Sequence, residues 1–279
     1  MERKINCLKD ETDYLALDIR IAYSTCMNRY MMILFMQDRI LDATGIFERY
    51  IKYNNNIPIS LYSYKYNSMI GEWLLDYARG ISYVCPLCAE IYYKRSIKLL
   101  ENGKNEKRYI LAKMDFAFLQ CVYFEKFDEI ETIHNLTIDL QRENYINEYF
   151  RGFLRENLCK LVQYFKNPGI ANSKGIKAIA QKMKEEALSI ELDSMLYISG
   201  RLAYQTGMYF SALDTIIQDF VEAKKYLERN LNMVSKAGGS FTNIALHNLR
   251  YYKQIQNIEW GNMEGGYSPH SFILDPRIW

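Results

Sequence analysis

The chain has 279 residues, 49% of them apolar and 24% charged, an ordinary globular balance with enough apolar material for a sizeable core. Its 35 basic and 33 acidic residues leave a formal charge of +2, so no broad attraction to nucleic acid or to an anionic membrane surface follows. Only 5 prolines and 14 glycines argue against a loop-rich all-β protein.

Residues 1–12 read as a lead without the apolar core of a secretory signal. A helical pattern starts at Asp13 and carries Leu15, Leu17, Ile19, Ile21, Ala22 and Cys26, then Tyr30, Ile33 and Leu34. The apolar run 30–36 within it is far shorter than the ~20 residues of a membrane span. After an interruption at Gln37-Asp38, a second pattern of Ile40, Leu41, Ala43, Ile46, Phe47, Tyr50 and Ile51 runs to the breakers Asn54-Asn55-Asn56 and Pro58. The next hairpin is expected over 61–79 and 86–100, with Pro86 in a first helical turn, where its missing N–H is harmless. A third is expected over 106–124 and 127–140, and a fourth over 146–165 and 173–190, separated by Asn167-Pro168-Gly169.

The fifth occupies 196–231, as a helix, a tight turn just after Gly207, and a second helix with Ala212 early in it. Gly238-Gly239 ends it, and Ser240 or Thr242 can cap a last helix through Leu249, Tyr252 and Ile255. Residues 259–279 have no helical period. Trp260, Tyr267, Phe272, Ile273, Leu274, Ile278 and Trp279 make this tail too apolar for a solvated end. It is expected to cap the helical stack or to dock into a partner, with Phe272, Leu274 and Trp279 as the docking side chains.

The small residues Gly200, Gly207 and Ala212, set among Leu196, Leu202, Ala203, Ile216 and Phe220, resemble the tetratricopeptide repeat. Trp73 stands sixteen residues before Ala89, as the first-helix aromatic of that family stands before its second-helix alanine. The units are long and irregular: Ala43 to Ala89 spans 46 residues, Ala89 to Ile130 spans 41 and Ile130 to Ala212 spans 82, against a usual period of about 34. The resemblance implies an all-α solenoid of about five helical hairpins, about eleven helices, over residues 13–258. An irregular all-α domain is the alternative.

Catalytic and metal signatures are weak. Cys85-Pro86-Leu87-Cys88 is a single CxxC. Zinc sites usually need a second pair of ligands, and a redox CxxC of the usual kind follows a strand, which 79–84 does not suggest. The six cysteines are therefore expected to be reduced cytosolic thiols. No arginine stands five to seven residues before His134, His247 or His270, so the Arg–His spacing of a HEPN-type ribonuclease is missing. No phosphate-binding loop, GxGxxG, HExxH or GxSxG occurs. The lysines at 174, 177, 182 and 184 and the cluster Lys224, Lys225 and Arg229 read as solvated faces beside acidic neighbours. Arg151 and Arg155, one turn apart, could hold an anion or pair with Glu148 or Glu156.

Carrying the family's concave-face positions across gives Asn28, Asp115, Tyr123, Tyr197, Arg201 and Tyr204 as the partner-binding set. The Lys/Asn set by which some family members clamp a peptide carboxylate is missing. The expected protein is a non-enzymatic, cytoplasmic adaptor or sensor for a protein or peptide, without cofactor or metal. The resemblance places it among bacterial tetratricopeptide-like regulators, scaffolds and phage-defence components. Two other readings stay open: a structural subunit of a larger assembly, and a divergent nuclease or metal enzyme.

Overall fold

The computed structural model describes residues 14–37, 39–54, 64–101, 105–167, 173–198, 200–236 and 242–259. Among them the protein is all-α, with no strand. Eleven α-helices and one 3-10 helix follow one another: α1 Tyr14–Met36, α2 Ile40–Asn54, α3 Tyr64–Ile81, α4 Pro86–Glu101, α5 Glu106–Phe124, α6 Glu129–Arg142, α7 Ile146–Lys166, α8 Ser173–Ser189, the 3-10 turn Leu192–Tyr197, α9 Arg201–Ile217, α10 Phe220–Lys236 and α11 Thr242–Glu259. Successive helices pack as hairpins, the construction of an α-solenoid. The chain forms two compact units, Met1–Phe116 and Ala117–Trp279, with the boundary inside α5.

In the first unit α1 pairs with α2 and α3 with α4. Aromatic rings fill its core. Tyr50 stacks on Trp73 with centroids 3.6 Å apart, Phe47 stacks on Tyr77 at 3.7 Å, and Tyr92 stands edge-on to both Phe47 and Tyr77. Trp73 and Ala89 are both buried. Truncating a buried aromatic of this kind costs roughly 3–5 kcal/mol. The α3–α4 crossing is close at Gly71. Its carbonyl accepts the Ser96 hydroxyl at 2.6 Å, and an added Cβ would lie 2.8 Å from Leu100 Cγ.

In the second unit the close pairs are α6–α7, α8–α9, α9–α10 and α10–α11. The expected hairpins α5–α6 and α7–α8 are thus displaced by one helix. The α6–α7 crossing explains part of this, because Gly152 lies directly against Thr137 and leaves no room for a Cβ.

The largest departure concerns 196–220. No turn occurs at Gly207: α9 runs through it without a break. Every residue from 202 to 216 is buried, so this helix is the core of its unit and not one face of a repeat. Gly207 is small because Asn230 of α10 sits on it. Asn230 is fully buried, its Nδ2 donates to the Tyr204 carbonyl at 3.2 Å, and a Cβ at Gly207 would collide with its Oδ1. Asn248 of α11 repeats the device one helix on, donating to the Leu227 carbonyl of α10 at 3.1 Å. Gly200, a small residue that could serve a close helix approach, does not lie at one. It precedes α9 at φ +112°, a conformation that glycine adopts readily and other residues do not, with nothing within 4 Å of an added Cβ. The turn lies instead at Gln218-Asp219. Gln218 is left-handed at φ 74°, the Asp219 N–H returns to the Asp214 carbonyl at 2.8 Å, and Asp219 Oδ1 accepts the Glu222 N–H at 3.2 Å to cap α10.

Candidate functional site

Two of the expected binding residues belong to one buried polar chain in the first unit. Asn28 on α1 donates Nδ2 to Asp76 Oδ2 at 2.7 Å. Asp76 Oδ1 accepts from Arg79 at 3.1 Å, and Arg79 Nε donates to Asp115 Oδ2 on α5. Burial by itself would lower the Arg79 pKa. The carboxylates of Asp115 and Asp76 outweigh that and raise it above the ordinary arginine range. Asp115 is 2% exposed. It is therefore a partner of Arg79 inside the fold, and its assignment to an open binding face is corrected. A second α3–α5 tie lies nearby, where Glu72 accepts Asn105 Nδ2 at 2.9 Å and faces Arg108 Nε at 3.6 Å.

The other expected residues belong to the second unit. Tyr123, near the end of α5, is half-buried. Tyr204 is 7% exposed on α9, so it too is core. Arg201 opens α9, and its side chain lies outside the described residues. Tyr197 is not on the same helix as these two. It ends the 3-10 turn, and Ile198 follows in extended conformation at φ −83° and ψ 136°. Tyr197 is 77% exposed as a residue, with the Arg229 guanidinium of α10 4.8 Å from its ring centroid. Ile198 is exposed beside it. Arg229 was legible only as one member of a basic cluster, because no helical period links it to a residue 32 positions earlier. Phe272, Leu274 and Trp279 of the tail lie outside the described residues.

Other polar groups are engaged within the unit. Glu156 accepts Lys160 Nζ at 2.5 Å and lies 3.0 Å from His134 Nδ1. Lys184 reaches into the core, where its Nζ is 2.5 Å from Asp214 Oδ1. Arg155 is buried, with its guanidinium 5.7 Å from the Phe118 ring centroid. Cys121 and Cys159 are buried thiols. Burial first, then a hydrogen bond with Cys121, pushes the Cys159 pKa well up, which leaves it unreactive.

Cys85 and Cys88 are joined as a disulfide, so the expectation of reduced thiols fails for this pair. The reason is local. Cys85 is the last residue before α4 and Cys88 is in its first turn, which brings their Cα atoms to 5.3 Å. Among the described residues, no group of three or more His, Cys, Asp or Glu could hold a metal ion, and no helix is long and apolar enough to cross a membrane.

Comparison with protein-family models, with curated proteins and with solved structures finds no match to this chain. The likeness to the tetratricopeptide repeat therefore rests on the residues that suggested it, and at its best stretch the helix boundaries differ from the repeat pattern.

Proposed function

We propose that the chain is a protein- or peptide-binding helical adaptor whose partner surface includes Tyr197, Ile198 and Arg229. The observation that carries this reading is the Tyr197–Arg229 pair. A tyrosine 77% exposed stands at the junction before α9, with a guanidinium 4.8 Å from its ring centroid. Tyrosine and arginine are the side chains that most often dominate binding energy at protein interfaces. The cation favours this placement of the ring by about 0.5–1 kcal/mol, which reduces the side-chain entropy lost on binding. The buried positions Asp115 and Tyr204 are consumed by the fold, which concentrates the binding role on this junction. A cytoplasmic setting belongs to the same proposal. Cys26, Cys121 and Cys159 are free thiols, as a reducing compartment favours, whereas the Cys85–Cys88 disulfide points the other way.

The test is capture from the native lysate with the parent chain and with a Tyr197→Ala, Arg229→Ala variant. Tyr197 is exposed and Arg229 of α10 is half-buried against its ring, with neither in the core, so the variant should melt close to the parent. Its affinity for the captured partner should fall by at least ~1 kcal/mol, about fivefold or more. Equal capture at equal affinity by a normally folded variant contradicts the reading.

A further inference from the structure

The Cys85–Cys88 pair sits where a thiolate is stabilised. The Cys85 carbonyl accepts the first bond of α4 from the Ala89 N–H at 2.9 Å, which makes Cys85 the capping residue. Pro86 has no N–H to offer. The free donors of the first turn that a capping side chain reaches are those of Leu87 and Cys88. These N–H groups and the positive end of the helix favour negative charge on Cys85 Sγ. The pair is also accessible. Cys88 is exposed and Cys85 half-buried, and the neighbours Val84, Leu87 and Ile91 are exposed at 54%, 67% and 54%. By contrast, Cys121 and Cys159 are buried thiols.

We propose that Cys85–Cys88 is a thiol–disulfide exchange site that is reduced by an external dithiol. A thiolate of the dithiol attacks Sγ of Cys88, the more exposed residue of the pair. A new S–S bond forms there as the Cys85–Cys88 bond breaks, and its electron pair leaves on Cys85 Sγ. That thiolate is the better leaving group because the helix N-terminus stabilises it. The second thiolate of the dithiol then attacks its own sulfur in the mixed disulfide and releases Cys88 as a thiolate, which takes a proton from water. Two electrons have passed to the pair, and the dithiol has become a disulfide. The reverse sequence oxidises the pair at the expense of an external disulfide. This site is independent of the Tyr197 surface, and its failure would leave the adaptor reading untouched.

The full chain is equilibrated with dithiothreitol and then with its oxidised form. Free thiols are trapped with N-ethylmaleimide and assigned by peptide mass, which separates Cys26 from the pair. The pair should open and reclose completely, with the helical circular-dichroism signal unchanged. In Cys88→Ser, the alkylation rate of Cys85 should be half-maximal about one pH unit or more below the ~8.5 of free cysteine, whereas in Cys85→Ser that of Cys88 should stay near the free value. If either serine variant folds poorly, peptide-resolved alkylation of the reduced parent chain reads the same order of thiol acidity. A pair that stays oxidised in excess dithiothreitol, that does not reclose, or in which Cys85 titrates at or above the free-cysteine value overturns the proposal.

Discussion

Replacing Arg79 by alanine should be the most damaging single polar change in the first unit, costing about 3–5 kcal/mol of its stability. The guanidinium lies between Asp76 and Asp115, which are 8% and 2% exposed. Removing it leaves the two buried carboxylates without their cation, with Asn28 still donating to Asp76. The loss is a large fraction of the ~5–15 kcal/mol that holds a typical domain folded. Arg79→Lys should recover part of it. A lysine keeps the charge but cannot offer Nε and a terminal nitrogen to two carboxylates at once. Denaturant unfolding at neutral pH reads both variants, and a first-unit transition that separates from the second is the one to follow. An alanine variant within about 1 kcal/mol of the parent contradicts the account of this network.

The contribution of Asp214 to the stability of the second unit should be lost as pH rises through the acid range. Asp214 is fully buried on α9, and burial raises its pKa from 3.8 to about 6, with Lys184 pulling the other way. The folded chain therefore holds this proton more tightly than the unfolded chain. The resulting stability is fully present below pH 3.8 and is lost as pH rises to about 6, after which the difference is constant. The expected loss is ~1–3 kcal/mol. Asp214→Asn keeps the shape and an acceptor for Lys184 but removes the titration. Subtracting its unfolding free energy from that of the parent, pH by pH, should isolate a downward slope confined to that window. Parallel profiles for the two chains contradict the assignment.

The helices were legible where the chain carries strong punctuation. Pro86 opens α4 as its position implied, and α2 ends at Asn54, the first of three consecutive asparagines. Legibility failed at α9 because Gly207 looked like a stop, although its function is to admit Asn230. The true stop, Gln218, carries no glycine or asparagine to announce its left-handed conformation. The pair Asp219 and Glu222, spaced as a capping box, was the available signal for the start of α10. The site was harder to read for a related reason. Whether Asp115 faces solvent depends on Arg79, 36 residues away, and the role of Asn28 depends on Asp76, 48 residues away. Helical periodicity contains neither relation. Tyr197 remains in the candidate surface, but it is exposed at a junction and not on the face of a repeat helix. The CxxC spacing and the start of α4 at Pro86 were both visible, so the closeness of the two sulfurs was legible although reduced thiols were expected.

The central structural claim is that α9 is one continuous, buried helix through Gly207, which removes Tyr204 from any binding face and leaves Tyr197 at an exposed junction. Native-state hydrogen exchange resolved to single amides tests it most directly. The account predicts that amides 205–217 exchange as one slow, cooperative block in which Gly207, Met208 and Tyr209 are as protected as Leu213, with fast exchange at Gly200. Two protected segments separated by rapidly exchanging amides at 207–210 would contradict it and restore the turn.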